Sequence, residues 1–434
     1  MQKILWPVVI CMLLTNSVFT QGFGDSYWYP DQNTMMGGLG VTWIDDQPYT
    51  TITLAPEFAF GKIGVGFYLQ LLMDNNNNFK LRKDEYKGGA GILRAVRYVR
   101  YGKKYDPLYA RAGMLELASL ANGFLMWNYN NASNYDKRKW GLAFDADLGV
   151  VGFESVTNNL VRLELIGGNL YFRPVRLMAP HIPIIKNLRF YGTYVYDKDV
   201  PSWEKQGDKK ALNAFGLGVD LVFLNTPVLM SGIYYDYGKF VDFGSGHAVG
   251  INAVVPEIVG LLGLWAKFER RWTGEQFIPN FFGPLYELDR ELDPFEYPTE
   301  SRIMALQLAE KNKGYFGQLA AFVINKVRIM GNYQRLDGIK RSGILHLEAL
   351  APDLIPKFEL RAYYDKSGIE TFKDVRTLDH RSLATVEVGY RLNMFLVLAT
   401  VYRWYWVKEE DEFGNITYRP IERIEPRLSL SFRF

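Results

Sequence analysis

Charged side chains recur at every second position of several otherwise apolar segments. Glu359 and Arg361, for example, alternate with Phe358, Leu360 and Ala362. Residues two apart in a strand lie on the same face, so such segments would place cations and carboxylates together on one side of a sheet. Strand parity assigns the following side chains to that face: Arg111, Arg162, Glu164, Arg189, Asp220, Asp236, Lys267, Glu269, Arg271, Arg328, His346, Glu348, Glu359, Arg361, Glu387, Arg391, Arg403 and Arg427. Mixed charge of this kind forms and breaks no bonds, but it can orient and select polar solutes in water.

Two interpretations of this charged face stay open. In the one we favour, it lines a water-filled pore, because barrels of about 16–18 strands are already wide enough for an aqueous channel. In the other, the same residues are ion pairs that fill a plugged barrel. Arg97 breaks the parity of Arg94 and Arg100, and a charge on a lipid face costs about 2–4 kcal/mol near the bilayer midplane. A bulge or an interfacial position is therefore predicted at Arg97.

Catalytic and metal chemistry find little support in the sequence. The chain has four histidines, His181, His247, His346 and His380, and none lies at zinc-ligand spacing from another histidine or a cysteine. There is no G-x-S-x-G, P-loop or dinucleotide-binding fingerprint. His346 and Glu348 share a strand face and could in principle act as an acid–base pair. The simpler interpretation is that His346 is a neutral histidine that faces the lumen. We expect no enzyme activity, no metal and no cofactor.

The elements that must position the charged face are strands. Alternating segments predict about 20 strands between Met36 and Phe434, with about 16–18 as the alternative. Short connections such as Asn325–Lys326 alternate with longer polar ones such as Asp197–Lys210. Transmembrane barrels show this asymmetry, with short turns at one end and long loops at the other. The segment Trp140–Phe172, in which a strand is predicted to begin at Val161, is the least regular part.

Val249–Phe268 is the segment closest in composition to a membrane helix. Pro256 and Glu257 interrupt it, and Gly250, Gly260 and Gly263 lower its helix propensity further. It therefore predicts two strands that are joined by a tight turn.

The chain ends in a strongly amphipathic strand. Leu428, Leu430, Phe432 and Phe434 are apolar and alternate with arginine and serine. One face of this strand is therefore apolar and the other polar.

The first 20 residues have the organisation of a secretory signal peptide. A single basic residue, Lys3, precedes an apolar stretch and then small or polar residues. The apolar stretch is shorter than the roughly 20 residues that a spanning helix needs, so we expect cleavage near Thr20–Gln21. Cleavage would remove Cys11, the only cysteine, and leave residues 21–434 as a single domain without thiol chemistry.

The terminal phenylalanine strand, the signal peptide and the alternating segments together resemble those of porin-like bacterial outer-membrane β-barrel proteins. The resemblance implies an all-β, transmembrane, antiparallel up-and-down barrel. It also implies that Leu428, Leu430, Phe432 and Phe434 form the signal that the barrel-assembly machinery recognises. The expected partners are outer-membrane lipid, that machinery and small hydrophilic solutes. A formal net charge of +3 argues against a nucleic-acid partner, and the oligomeric state stays open.

The predicted function is an outer-membrane channel for passive diffusion of small hydrophilic solutes. The alternative is a structural or adhesive surface protein with a plugged barrel. The segment Thr273–Gly314 far exceeds an ordinary hairpin loop and contains several aromatic residues. A short helix is predicted within Glu300–Lys313, packed through Ile303, Leu306 and Ala309. The segment is expected either to narrow the outer mouth or to extend outward as a hairpin.

Overall fold

The described strands pair antiparallel with their neighbours and close into a ring. A computed structural model describes residues 34–44, 47–73, 79–81, 95–104, 106–132, 139–258, 261–298, 301–324, 326–352, 354–379, 381–393, 396–410 and 416–433. The strands within these residues are β1 (Thr34–Ile44), β2 (Gln47–Phe60), β3 (Ile63–Phe67), β4 (Leu69–Met73), β5 (Phe79–Leu81), β6 (Val96–Tyr101), β7 (Leu108–Gly113), β8 (Gly141–Asp147), β9 (Val151–Thr157), β10 (Leu165–Phe172), β11 (Arg189–Pro201), β12 (Lys209–Asn225), β13 (Met230–Phe240), β14 (Ser245–Ile258), β15 (Leu262–Thr273), β16 (Asn312–Val323), β17 (Val327–Leu336), β18 (Gly343–Pro352), β19 (Phe358–Ile369), β20 (Ser382–Arg391), β21 (Leu396–Glu410) and β22 (Ile416–Arg433). The signal peptide expected at residues 1–20 lies outside the described residues.

The 22 described strands occupy 20 positions around the ring. β3 and β4 both pair with β2 and together fill one position. On their other side β3 pairs with β6 and β4 pairs with β5, so β5 and β6 together fill the next position. The ring closes where β1 pairs with β22 and Gly38 lies opposite Ser429. The predicted antiparallel up-and-down barrel of about 20 strands is therefore confirmed.

Strand alternation separates an apolar outer face from a polar inner face. In β10, Leu165, Gly167 and Tyr171 are buried inside, whereas Leu170 and Phe172 are exposed outside. The outer face is apolar along most strands, as a wall in contact with lipid requires.

Arg97 lies in the bulge that its broken parity predicts. The register between β3 and β6 passes from Gly66–Tyr98 to Phe67–Val96 and so skips Arg97, which is the extra residue of a bulge. The extra residue turns the guanidinium inward, where it contacts Glu57 at 2.5 Å.

The barrel has two unlike rims. At the termini rim, where β1 begins and β22 ends, most described connections are short, such as residues 226–229 between β12 and β13. At the long-loop rim, residues 114–140 join β7 to β8 and residues 274–311 join β15 to β16. The segment that resembles a membrane helix forms β14 and β15, as predicted.

The helices are short and lie in connections. They are α1 (Pro174–Met178), α2 (Tyr286–Asp289), α3 (Arg302–Gln307) and α4 (Phe372–Val375), with a 3₁₀ turn at Ile185–Asn187. The helix predicted within Glu300–Lys313 is thus present as α3, but it is not the only one among the described residues. None of the described helices is long and apolar enough to span a membrane.

Candidate functional site

Residues 114–132, hereafter the inserted segment, fold into the barrel as a hairpin. Ala118 and Tyr129 exchange backbone hydrogen bonds of 3.0 and 2.8 Å. Leu120, Leu125 and Met126 are buried between these hairpin arms and the wall. The apolar core of the protein therefore lies inside the barrel and is supplied in part by a connection.

Glycines in the wall make room for the inserted segment. A Cβ atom at Gly238 of β13 would lie 2.9 Å from Leu125 and 3.1 Å from Phe124. A Cβ at Gly167 of β10 would lie 2.7 Å from Leu120. These contacts are closer than van der Waals distance, so a side chain at either position would force the hairpin side chains that pack there to move.

Residues 274–311, hereafter the long connection, pack directly on the inserted segment. Three backbone hydrogen bonds join them: Asn280 N–H to Phe124 C=O at 2.8 Å, Phe282 N–H to Leu125 C=O at 3.1 Å, and Trp127 N–H to Phe282 C=O at 3.2 Å. The two segments therefore form one body. The expectation that the long connection narrows the mouth, and does not extend outward, agrees with this packing.

The aromatic residues and the helix α3 of the long connection supply much of the buried core of this body. Phe277, Phe281 and Phe282 are buried around Phe240 of β13, with ring centroids 5.0–6.0 Å from it. The residues predicted to pack the helix, Ile303, Leu306 and Ala309, are all buried.

Five charged residues, hereafter the charged lock, fasten the body to the wall at the long-loop rim; four are buried, and the Lys139 side chain is 12% exposed. They are Lys139, Glu164, Asp197, Glu287 and Arg290. Lys139 Nζ lies 2.6 Å from Glu164 and 2.7 Å from Glu287. The Arg290 guanidinium lies 2.5 Å from Asp197 and 3.1 Å from Glu164. The lock thus joins the long connection to β11 and to the connection before β10.

Neutral donors compensate the excess of carboxylates in the charged lock. The Tyr129 hydroxyl donates to Glu287, and the Tyr286 hydroxyl donates to Asp197 at 2.9 Å. Burial, together with the neighbouring carboxylate, raises the pKa of each tyrosine well above its ordinary value, so both stay protonated. Asn158 adds a hydrogen bond of 3.0 Å to Glu287.

The pKa values of two carboxyl groups at this rim are shifted in opposite directions. Burial alone would raise the pKa of Glu164, but the hydrogen bond and charge of Lys139, with the charge of Arg290, lower it to about 2. Asp289 is 5% exposed, and neither of its carboxyl oxygens accepts a hydrogen bond from another described residue. Burial raises the pKa of Asp289 to about 6, against the attraction of Arg302 at 3.8 Å.

The predicted lumen residues on β15 are sealed beneath the inserted segment. Lys267, Glu269 and Arg271 are at most 5% exposed, and both cations contact Glu269. Lys267 also donates to the backbone carbonyl of Asn122 in the hairpin. On this side of the barrel the charges serve as internal ion pairs.

The predicted residues on β7 and β11–β13 are also engaged. Arg111 is 2% exposed and donates to the Met114 carbonyl at 2.8 Å. Arg189 binds Asp220 at 2.7 Å. Asp236 is buried and accepts a hydrogen bond of 2.6 Å from a tyrosine of β11. Arg111 and Asp236 therefore belong to the filled half of the barrel, whereas the Arg189 and Asp220 side chains are 20% and 13% exposed.

The other half of the inner face is more accessible. The predicted residues on β17–β21 are all partly exposed; they are Arg328, His346, Glu348, Glu359, Arg361, Glu387, Arg391 and Arg403. The His346 ring lies 2.7 Å from Asp365, with side chains 31% and 15% exposed. Arg391 lies 2.5 Å from Glu359, with side chains 26% and 18% exposed. Water therefore reaches the charged groups on this half.

Register places the accessible residues on the same face as the sealed ones. Lys267 is the cross-strand partner of Gln318, which pairs in turn with Asn332, His346 and Asp365 across β16–β19. Arg361 likewise lies opposite Glu387. Because cross-strand partners lie on one face, a single inner surface runs from the filled half to the accessible half.

Two parts of the predicted set need correction or stay untested. Arg162 is not in a strand, because β10 begins at Leu165 and not at Val161; its side chain is 75% exposed in the preceding connection. Glu164 lies in the same connection but reaches inward to the charged lock. The side chains of Arg427, Leu430 and Phe432 in β22 and the whole of Phe434 lie outside the described part of the chain, and Leu428 is half-buried.

The inserted segment was not predicted from the sequence. Its signal is nevertheless present, since Leu120, Phe124, Leu125, Met126 and Trp127 would be poorly solvated in an open loop. The partners of the charged lock could not be found in the same way, because Lys139 and Arg290 are far apart in the chain and lie in connections without strand parity.

The described strands and their charged inner face define an antiparallel up-and-down β-barrel, which is the architecture that the resemblance to porin-like outer-membrane β-barrel proteins implies. No protein-family model matches the sequence, and no curated protein matches it. Similar solved structures include OccK9 (OpdG) of Pseudomonas aeruginosa, with 14% identity, a TM-score of 0.34 and coverage of 93% of this chain and 98% of that one. The siderophore receptor PiuA of Acinetobacter baumannii has 8% identity, a TM-score of 0.37 and coverage of 93% and 82%. CdiB of Acinetobacter baumannii has 8% identity and a TM-score of 0.30; the match covers 92% of this chain but only 60% of CdiB.

Proposed function

We propose that this chain is an outer-membrane channel through which small hydrophilic solutes diffuse passively. The observation that carries the proposal is the unequal filling of the lumen. Glu269 on β15 is 0% exposed beneath the inserted segment, whereas the His346 side chain on β18 is 31% exposed. Charged groups on an inner face need water or partners, and partial exposure there supports a water-filled path along β17–β21.

The path would act on solutes through position and charge. The inserted segment and the long connection narrow the lumen from one side, while the accessible strands carry cations and carboxylates close together. Arg361 opposite Glu387 and Arg391 beside Glu359 would set a local field across the path. Such a field orients dipolar solutes without strongly selecting one sign of charge. In this proposal the protein carries no enzyme activity.

Conductance in a planar lipid bilayer tests the proposal. We expect stepwise currents from the purified full chain, and a shift of the reversal potential toward anion preference in Glu387→Lys. Lys205→Glu, whose side chain is 75% exposed in the connection between β11 and β12, is the control and should leave selectivity unchanged. A correctly folded barrel that stays silent across a range of voltages would contradict the channel and favour the plugged, structural or adhesive alternative.

A further inference from the structure

The connection between β10 and β11 is long for the termini rim. Residues 173–188, hereafter the rim segment, contain α1 and the 3₁₀ turn. Arg173 fixes one end through two hydrogen bonds of 2.9 Å to Asp147. The other end is held near β12, where Asn187 donates to the Val222 carbonyl at 3.3 Å. The rim segment therefore runs along the edge of the wall below β9–β12 in an ordered conformation.

The rim segment exposes large apolar side chains. Leu177 is 67% exposed, Met178 73%, Ile184 48% and Ile185 49%. Contiguous exposed apolar surface on a protein marks a site of contact with membrane or with another protein. It adjoins the outward-facing residues at the rim ends of β10 and β11, such as Phe190, which is 48% exposed. The apolar surface of the rim segment thus continues that of the outer wall.

The charge of the rim segment is of one sign. It contains Arg173, Arg176 and Lys186 but no aspartate or glutamate. Arg176 makes only long hydrogen bonds within the described residues, 3.3 Å to the Gly149 carbonyl and 3.4 Å to Asn187. Basic residues beside exposed apolar side chains match the interface of a membrane with anionic phospholipid.

The wall above the rim segment is too low to cross a membrane unaided. β8 and β9 have 7 residues each and β10 has 8. At about 3.3 Å per residue and a tilt of about 40°, such strands rise only about 18–20 Å. The apolar band of a transmembrane barrel is about 25 Å tall. Several ångströms of apolar height are therefore missing in this sector.

We propose that the rim segment completes the lipid-facing band beneath β8–β10. Leu177, Met178 and Ile184 insert among the acyl chains at the phospholipid interface, and Arg176 and Lys186 bind the phosphate groups of anionic phospholipids. This inference rests on the membrane location contained in the proposed function. The same apolar residues would be costly in water, whereas in the interface each contributes favourable transfer free energy.

Site-directed spin labelling of the full chain in vesicles tests the inference. Cys11, the only cysteine in the sequence, lies in the expected signal peptide, and a Cys11→Ser background excludes its labelling in any uncleaved chain. Nitroxides are then placed at Met178→Cys and Ile184→Cys. Leu170→Cys, on the outer face of β10, is the lipid control, and Phe372→Cys, 70% exposed at the long-loop rim, is the water control. Accessibility to oxygen and to a water-soluble nickel chelate reports the depth of each label.

We expect the labels at residues 178 and 184 to resemble the lipid control, with high accessibility to oxygen and low accessibility to nickel. Adding phosphatidylglycerol to phosphatidylcholine vesicles should deepen them, and Arg176→Gln with Lys186→Gln should abolish that effect. Nickel accessibility equal to that of the water control would overturn the inference, as would shielding from both reagents, which indicates a protein partner. High nickel accessibility at the lipid control would show that the outer face of β10 does not lie in a membrane. That result would contradict the proposed function and not only this inference.

Discussion

Replacing Arg290 by methionine should release the long connection from the wall. The guanidinium is 1% exposed and contacts Asp197, which is 0% exposed, and Glu164, which is 7% exposed. Removing one partner of a buried ion pair costs about 3–5 kcal/mol, because the other charge stays buried without compensation. Every 1.4 kcal/mol is a factor of about ten, so the opened population of the connection should rise by a factor between about 100 and about 4,000.

Hydrogen exchange of the assembled barrel measures this opening. The amides of Arg290, Ala305 and Leu308 donate to backbone carbonyls within the long connection, and we expect them to exchange faster in Arg290→Met by that factor. If the chain is the proposed channel, recordings should show larger or less steady currents, since in that proposal the same body narrows the lumen. Lys205→Met, at an exposed surface ion pair, should change neither quantity. Unchanged exchange in an Arg290→Met barrel with intact strand content would refute the charged lock as the fastening of this connection.

Three further perturbations probe the lumen and the last strand. Gly238→Val should displace the inserted segment at a cost of about 1–3 kcal/mol and raise conductance. Gly168→Val is the control and should do neither, because the atom nearest to its new Cβ lies 3.9 Å away. Equal conductance in both variants would count against the packing of the inserted segment on Gly238. Because burial raises the pKa of Asp289 from 3.8 to about 6, the packed connection binds this proton more tightly than the opened one and should exchange more slowly as pH falls from about 6 toward 4, after correction for intrinsic rates. Asp289→Asn should remove that pH dependence, and its persistence would exclude Asp289 as the source. Phe432→Asp, or deletion of Phe434, should leave the protein in the periplasm on cell fractionation; an unchanged outer-membrane yield would argue against these residues as the assembly signal.

The wall of this barrel could be predicted from sequence because its rule is local. A strand with one apolar and one polar face needs only the identities of alternate residues, so β18–β20 and their charged positions follow from parity. The same rule located the bulge at Arg97, because a buried or lipid-facing charge out of step with its neighbours has a large energetic cost. It fails at Arg162, because the connection between β9 and β10 contains residues that parity assigns to a strand.

The filling of the barrel follows no local rule. Phe124 and Leu125 are buried between the wall at Gly238 and the backbone of the long connection, and both are distant from them in sequence. The aromatic content that indicates packing of the long connection is equally present in the inserted segment. It does not say that the segment packs inside the lumen, because that depends on the space left by glycines such as Gly238. The charged lock depends in the same way on the closed ring and not on spacing along the chain.

The hairpin of the inserted segment also constrains the order in which the protein can fold. Its Asn122 carbonyl is bound by Lys267, which lies 145 residues further along the chain, and its Tyr129 hydroxyl is bound by Glu287, 158 residues away. Contacts of such long sequence separation form slowly, because the intervening chain must be ordered first.

The hairpin therefore stays without its partners until β10–β15 and the long connection exist. During that interval an apolar stretch that ends inside the barrel is exposed to solvent, which is the condition under which large β-proteins aggregate. Seating of the hairpin is expected to be a late step, after the strands have paired, and the time before it is when the chain is most prone to aggregation.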